Sequence, residues 1–180
     1  KMDEEKTYTI VTEKKGYFTK REPFTMIGKS VPVDKLTKAE TDTTFYASIK
    51  MTKPEVGRDI TTTFSIAPIY YNLDKSDIRR DASPELDKIA QILVDNPNIK
   101  LELGSHTDSR ATSEYNQKLS QRRAESAVSY IISRGISPTR IVAKGYGESQ
   151  LVNQCADGIP CSEEEHQANR RTEFKVLEVK

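Results

Sequence analysis

The chain has 180 residues, of which 35% are hydrophobic and 31% charged, and its formal net charge is +1. This length suffices for one domain with a proper core and a smaller second unit, and the composition excludes a disordered chain. Because the charged residues include no basic block, nothing indicates a nucleic-acid partner, and no apolar run approaches the roughly 20 residues of a membrane-spanning helix.

The first sixty residues are rich in β-branched and aromatic side chains. The segments KTYTIVTEKKGYF and TDTTFYASIKM predict short strands and no helix, with turns at Gly16, Pro23, Gly28 and Pro32. We interpret residues 1–60 as a β-rich segment, either a small sheet or the end of an upstream β-sandwich domain. The start KMDEEKTYTI carries neither a signal peptide nor an initiator methionine, so we expect an excised or processed piece of a longer protein.

From Thr61 onward, predicted strands and helices alternate. The segment TTFSIAPIYY predicts a strand, in which Pro68 indicates an edge or a bulge. The segment SPELDKIAQILVDNP predicts a helix with Ser83 as its N-cap and Pro84 as its first residue. Alternating apolar and charged residues in NIKLELG predict a half-buried strand.

A longer helix is predicted from about Ser113 to Arg134, with Gly135 as its C-terminal cap. Two further strands follow, in RIVAKGYGE and in RRTEFKVLEV. The resulting order is β-α-β-α-β-(loop)-β. We therefore predict an α/β sandwich in which two main helices pack on one face of a small mixed sheet, preceded by a short β-rich segment.

Cys155 and Cys161 flank a turn that contains Gly158 and Pro160. This arrangement favours a local disulfide, which indicates an oxidising compartment. The alternative is a metal clip completed by His166 and the neighbouring acids. That alternative lacks a fourth ligand of suitable spacing.

The long predicted helix places one arginine on its apolar face. At about 100° per residue from Leu119, Arg123 falls at about 40° and Asn116 at about 60°, whereas Arg122 falls at about 300°. The apolar side chains fill an arc of about 180° that includes Arg123 and Asn116; they are Ala124, Ala127, Val128, Tyr130 and Ile131. Arg122 is therefore predicted to face solvent and Arg123 to be half-buried.

A guanidinium on a half-buried face is costly unless an anion meets it. One explanation is an internal ion pair with a nearby acid such as Asp108. The other is a zwitterion receptor, because Asp108 follows a predicted strand end, where open α/β sheets tend to keep their ligand crevices. In that receptor Asp108 would meet an ammonium and Arg123 a carboxylate.

The segment HTDSRATSEYNQKLSQRRAESAVSYIISRGISPTRIVAKGYGES, closed by NRRTEF, resembles the OmpA-like C-terminal domain, the peptidoglycan-anchoring module of Gram-negative envelopes. The resemblance covers about Thr62 to Val179 and rests on the TD, YN, LS-x-x-RA, GYGE and NRR elements in order. It implies that Asp108 and Arg123 hold the diaminopimelate residue of the stem peptide. Further binding residues that it implies are Thr107, Asn116 and Leu119 and, less directly, Asn72, Leu73 and Asp74.

The resemblance also implies a cellular context. Residues 61–180 would form the peptidoglycan-binding domain, located in the periplasm and attached to the outer membrane through parts not in this fragment. Other envelope proteins would be partners, through residues 1–60 or through regions upstream. A competing hypothesis is a protein–protein adapter of an envelope assembly that does not itself bind the wall.

This chain departs from the family pattern at two places. It carries Arg110 and Ala111 where a glycine commonly follows the TD motif, which affects the shape of that loop. The stretch CADGIPCSEEEH before the last strand resembles a disulfide-bearing variant of the family's loop. We expect its charged run SEEEH to form solvated surface, and Arg170 and Arg171 to hold the last strand through local hydrogen bonds.

The sequence argues against a catalytic or metal-binding role for the loop at the TD motif, residues 107–112 (the TD loop). Ser105, His106 and Asp108 lie too close along the chain to converge as a hydrolase triad, since successive strand side chains point to opposite faces. A metal site at His106 and Asp108 lacks a third ligand. The turn KGYGES matches no phosphate-binding motif. We therefore predict no enzyme activity, no metal and no cofactor.

Overall fold

The computed structural model describes residues 6–27, 47–72 and 74–180, which fall into two compact units, one ending at Lys53 and one beginning at Pro54. The predicted domain boundary at residue 60 stays a prediction. In the described part of the chain, no helix is both long and apolar enough to cross a bilayer.

The first unit contains an antiparallel pair of strands, β1 (Thr7–Thr12) and β2 (Lys20–Thr25). Gly16 lies in the turn that joins them and has a φ of 81°, a backbone conformation that glycine adopts without a steric cost. The strand predicted in KTYTIVTEKKGYF is thereby confirmed, whereas the turn predicted at Pro23 is wrong, because Pro23 lies within β2 opposite Thr9. Of the second predicted segment, residues 41–46 lie outside the described residues, as do Gly28 and Pro32, and residues 47–51 are not in a strand.

In the second unit, the described residues form three helices and a small mixed sheet. The helices are α1 (Ser83–Asp95), α2 (Ser113–Ser133) and α3 (Glu163–Asn169). The strands are β3 (Ile99–His106), β4 (Ile141–Gly147) and β5 (Thr172–Val179). β3 is central, parallel to β4 and antiparallel to β5. The mixed α/β architecture predicted from the sequence is confirmed.

The predicted first strand in TTFSIAPIYY is wrong. Residues 61–65 form turns, and the pairing with β5 occurs just before them, where Ile60 donates its N–H to the Phe174 carbonyl and Asp59 bridges Lys175. The Asp59 carboxylate accepts the N–H and the hydroxyl of Thr61. This side-chain cap turns the chain away from the sheet before a longer strand can form.

Two local predictions also need correction. Ala82, not Ser83, is the N-cap of α1, no side chain caps this helix end, and the Ser83 hydroxyl donates to the Arg80 carbonyl. β3 is buried along nearly its whole length rather than on one face, and even Glu102 is 8% exposed. The side chains of Tyr146 and Lys144 on β4 contact the Glu102 carboxylate and shield it from water.

Helix α2 crosses β4 at close range. A Cβ atom placed on Gly145 would lie 2.3 Å from the backbone nitrogen of Gln121 in α2, so only glycine fits. The Thr112 side chain caps the start of α2 by accepting the Tyr115 N–H, and Gly135 follows its end with a φ of 92°. This close approach fixes the position of α2, the helix that carries Arg123, on β4.

Arg140 joins the end of α1 to the start of β3. Its guanidinium donates to the carbonyl oxygens of Leu93 and Asn96, at 3.2 and 2.8 Å, and to that of Ile99 at 2.6 Å. A cation at this position satisfies carbonyl groups that a helix C-terminus leaves without partners.

We expect Arg140→Met to lower the free energy of unfolding by about 2 kcal/mol, because part-buried carbonyls lose a charged donor. The matched control is Arg134→Met, which removes an exposed arginine paired with Asp87 and should cost less than about 1 kcal/mol. Urea unfolding of both variants measures the difference. Equal losses would show that Arg140 is no more important than a surface ion pair.

Candidate functional site

The buried face of α2 has the composition predicted from its periodicity. Arg123 is 8% exposed and Asn116 2% exposed, whereas Arg122 faces solvent. Leu119, predicted to contact ligand, is buried on the same face. The prediction that Arg123 and Arg122 have opposite environments is confirmed.

Arg123 donates to main-chain carbonyls. Its Nε lies 3.0 Å from the Lys75 carbonyl oxygen and its Nη2 lies 3.3 Å from that of Asn72. Its guanidinium also lies 5.0 Å from the ring centroid of Tyr71, whose hydroxyl donates to the Arg123 carbonyl. Among the described residues, Arg123 forms no ion pair. The alternative of an internal ion pair between Arg123 and Asp108 is therefore wrong.

The charged form of Arg123 is held in an unfavourable environment. Burial lowers its pKa, and the like charge of Arg170 acts in the same direction, while Tyr71, Tyr115 and Asp74 oppose the shift. Burial in turn raises the pKa of Tyr71 to about 12, although Arg123 opposes this. An anion reaching Arg123 would remove this cost because it would supply the missing counter-charge.

Asp108 is buried and pairs with two other arginines. Its Oδ2 accepts from Arg110, at 2.7 Å for Nη2 and 3.1 Å for Nε, and from Arg170 Nη1 at 2.5 Å. Burial acts to raise the pKa of Asp108, but the hydrogen bonds from Arg110 and Arg170 keep it below its usual value. Among the described residues, its Oδ1 receives the Arg110 backbone N–H alone, at 3.4 Å.

A second carboxylate completes this ion cluster. Glu163, in α3, accepts from Arg110 Nη1 at 2.7 Å and from Arg170 Nη2 at 2.5 Å. Two arginines and two acids thus alternate between the TD loop and α3. The run SEEEH is therefore not only solvated surface, and its Ser162-x-x-Glu165 capping box was a sequence signal for α3.

The two arginines before β5 differ in role. Arg170 pairs with Asp108, far away along the chain, and its local hydrogen bonds go to Glu163 and Gln167 of α3, so the prediction that it holds the last strand is wrong. For Arg171 that prediction is confirmed: its Nε pairs with Glu173 Oε1 at 2.7 Å and its Nη1 donates to the Gln150 carbonyl.

Asn116 shapes the loop that carries Asp108. Its side-chain amide donates to the carbonyl oxygens of Asp108, at 3.0 Å, and of Ala111, at 3.2 Å. Thr107 is buried, and its N–H bonds to the Gly147 carbonyl. Within the described chain the Thr107 hydroxyl has no hydrogen-bond partner.

Asn72 and Asp74, which the resemblance implies less directly as binding residues, lie near Arg123. Asn72 supplies one of the two carbonyls that Arg123 contacts. Asp74 has a φ of 55° and accepts the Tyr115 hydroxyl at 2.8 Å. Leu73 lies outside the described residues.

A small cavity of about 60 Å³ opens beside these groups. Arg123, Arg170 and Arg171 line it together with His106 and Thr172, and no described carboxylate-bearing residue lines it. Three arginines line this one cavity, and the forked geometry of arginine suits a carboxylate, so the cavity can receive an anion.

The disulfide predicted between Cys155 and Cys161 is confirmed, with Cα atoms 5.9 Å apart. The two sulfurs lie near a carboxylate oxygen of Glu165, but they are consumed in the disulfide, so the metal-clip alternative is wrong. The Ser109 hydroxyl donates to the Cys155 carbonyl at 2.6 Å and thereby ties the disulfide loop to the TD loop.

His106 does not join Asp108. The imidazole is buried and stacks on Tyr146, with ring centroids 4.9 Å apart, and its Nε2 lies 3.7 Å from Glu173 Oε2. The Asp108 carboxylate instead faces arginines. This geometry supports neither a Ser-His-Asp triad nor a metal pair at His106 and Asp108.

Comparison with known proteins identifies the family. The OmpA family model matches residues 70–164, more than half of the chain. The chain belongs to the OmpA family. The match includes Asp108, Asn116 and Arg123 but ends before Arg170. The resemblance noted from the TD and LS-x-x-RA elements is therefore confirmed.

One similar protein is the peptidoglycan-associated lipoprotein of Rhizobium meliloti. It is 39% identical over 93 residues, which are 52% of each chain. Outer membrane porin F of Pseudomonas fluorescens is 36% identical over 60% of this chain and 32% of the porin. This chain thus spans about half of the lipoprotein and a third of the porin.

Solved structures show the same fold. The peptidoglycan-associated lipoprotein from Burkholderia pseudomallei is 26% identical, with a TM-score of 0.54 over 61% of this chain and 88% of that one. The cell wall anchor of the type VI secretion system (T6SS) from Pseudomonas aeruginosa is 28% identical, with a TM-score of 0.50 over 60% of this chain and 74% of that one.

Proposed function

We propose that this protein binds peptidoglycan non-covalently through the diaminopimelate residue of the stem peptide and anchors an envelope protein or complex to the cell wall. One observation carries the proposal: Arg123 is buried at a cavity lined by three arginines, and the described residues offer it no carboxylate. Relatives named as peptidoglycan-associated lipoproteins and as a cell wall anchor support it.

The chemistry of diaminopimelate suits this site. Its side chain ends in one carbon that bears both an ammonium and a carboxylate. Arg123 would bind the carboxylate through its fork, and the Asp108 carboxylate would accept the ammonium. Lysine at the same place lacks the carboxylate and would leave Arg123 buried without an anion.

The other predicted site residues would act through this pair. Asn116 holds the Asp108 loop, and Asn72 holds the Arg123 guanidinium from its far side. Contacts of the ligand with Thr107, Leu119, Leu73 and Asp74 stay predictions. Residues 61–180 are proposed as the wall-binding domain, working in the periplasm while parts outside this fragment attach to the outer membrane. Residues 1–60 or upstream regions would contact other envelope proteins.

Cosedimentation with isolated cell walls tests the proposal. We expect the protein to sediment with diaminopimelate-type wall and to remain largely in the supernatant with lysine-type wall, because only the former supplies the second carboxylate. No soluble muropeptides should be released, since the site binds the wall and does not cleave it.

Three results would contradict this function. Equal sedimentation with both wall types would remove diaminopimelate as the recognised group. Sedimentation with neither, while the protein remains folded by circular dichroism, would favour the adapter hypothesis. Release of muropeptides would indicate an enzyme.

A further inference from the structure

Arg170 contacts Asp108, one of the two residues of the proposed zwitterion receptor, which are Asp108 and Arg123. Its Nη1 lies 2.5 Å from Asp108 Oδ2 and its Nη2 lies 2.5 Å from Glu163 Oε1. Its Nε and Nη2 also donate to Gln167 Oε1, at 3.1 Å for Nε. The same side chain lines the cavity beside Arg123. A cation of the protein itself therefore already pairs with the carboxylate that the proposed function assigns to the ligand's ammonium.

We propose that Arg170 is an exchangeable stand-in for the ligand's ammonium, and that its exchange makes recognition of the zwitterion all-or-none. This inference rests on the proposed function. When the ammonium reaches Asp108, the Arg170 guanidinium leaves that carboxylate and turns to the ligand's carboxylate in the cavity that it shares with Arg123.

Charge balance favours the exchange only for a zwitterion. Without ligand, Asp108 pairs with Arg110 and Arg170, whereas Arg123 has no anionic partner among the described residues. With a zwitterion bound, Asp108 holds the ammonium, and Arg123 and Arg170 share the carboxylate. The net charge of the site is unchanged, and every buried charge has a partner.

Ligands that carry only one of the two charges gain less binding free energy from this site. An ammonium alone, as in lysine, displaces Arg170 from Asp108 and offers no carboxylate in return. A carboxylate alone pairs with Arg123 but leaves Arg170 on Asp108. Arg170 thus acts against the wrong ligand as well as for the right one, which is an established route to specificity.

Arg110 provides a matched control. It contacts the same two carboxylates, at 2.7 Å from Asp108 Oδ2 and 2.7 Å from Glu163 Oε2, but it does not line the cavity. Its side chain is 50% exposed, whereas that of Arg170 is 23% exposed. Removing Arg110 weakens the ion cluster without removing a guanidinium from the cavity.

Calorimetric titration with a diaminopimelate tripeptide and with its lysine counterpart tests the inference. We expect Arg170→Gln to lower affinity for the diaminopimelate peptide by about tenfold or more, the usual worth of a charge-assisted hydrogen bond. Affinity for the lysine peptide should stay constant or rise, because the competing cation is gone. Arg110→Gln should keep the preference within about threefold of the wild-type value.

Arg170→Lys is the second variant, should Arg170→Gln fail to fold by thermal melting. Lysine retains the charge but cannot fork across two carboxylates, so the preference should also fall. The inference is overturned if a folded Arg170 variant keeps the wild-type preference, or if Arg110→Gln loses as much preference as Arg170→Gln. Failure of the proposed function looks different, because the wild-type protein would then not prefer the diaminopimelate peptide.

Discussion

Arg123→Ala is expected to weaken binding of a diaminopimelate tripeptide by about two to three orders of magnitude, the cost of removing one partner from a buried charge pair. The neighbouring Arg122→Ala should change affinity by less than about threefold, because its side chain faces solvent. Calorimetric titration measures both affinities.

The stability of Arg123→Ala separates a ligand receptor from a structural arginine. The variant loses the hydrogen bonds to the carbonyls of Lys75 and Asn72, which destabilises the fold. It also removes a buried positive charge, and burial lowers the pKa of Arg123 because it disfavours that charge. These effects oppose each other, so its melting temperature should remain close to that of the wild-type protein. Comparable affinities of Arg122→Ala and Arg123→Ala would refute the proposal that Arg123 binds the ligand's carboxylate.

Asp108→Asn is expected to have two large effects. It should lower the free energy of unfolding by about 3 kcal/mol, because Arg110 and Arg170 lose a buried carboxylate. It should also weaken binding of the tripeptide by about two orders of magnitude, because a neutral amide pairs poorly with an ammonium. Urea unfolding and calorimetric titration measure the two effects separately.

Glu163→Gln is the control for the stability effect. Glu163 contacts the same two arginines as Asp108, but its side chain is 61% exposed. Its loss should cost less than about 1 kcal/mol, because solvent screens exposed ion pairs. If both variants lost the same stability, burial of Asp108 would not be the cause.

The stability effect of Asp108 should depend on pH with a definite sign. The folded-state pKa of Asp108 is lowered because the hydrogen bonds from Arg110 and Arg170 outweigh burial. Its contribution is therefore fully present above the pKa of an unfolded aspartate, about 3.9. It is lost as the pH falls through the lower, folded-state value. The difference between wild type and Asp108→Asn should accordingly be full at neutral pH and shrink in acid, and a constant difference would contradict this origin.

Local pattern in the sequence determined the helices and strands that depend on near neighbours. The 3.6-residue period of α2 predicted which of two adjacent arginines is buried, and Gly135 marked the end of that helix. The spacing of Cys155 and Cys161 predicted the disulfide. These features were readable because periodicity, caps and short loops depend on residues a few positions apart.

Long-range pairing was decided only by the tertiary structure. A helical wheel shows that Arg123 faces inward but not what it meets, and its contacts are carbonyls and an aromatic ring about fifty residues earlier in the chain. Asp108 meets Arg170, which lies 62 residues later. Both pairings depend on the positions of residues 70–72, 74–75 and 107–112 near the start of β5.

The same limit explains the errors in the sheet. Glu102 follows an alternating pattern typical of a half-buried strand, yet it is buried, because the side chains of Tyr146 and Lys144 on β4 contact its carboxylate. The segment after Asp59 has strand-forming residues, but a side-chain cap turns it away from β5. Sequence periodicity determined which face of helix α2 points inward. Strand order and loop placement determined which groups pair with each buried charge. The sequence pattern could not show these pairs, because they join segments far apart in the chain.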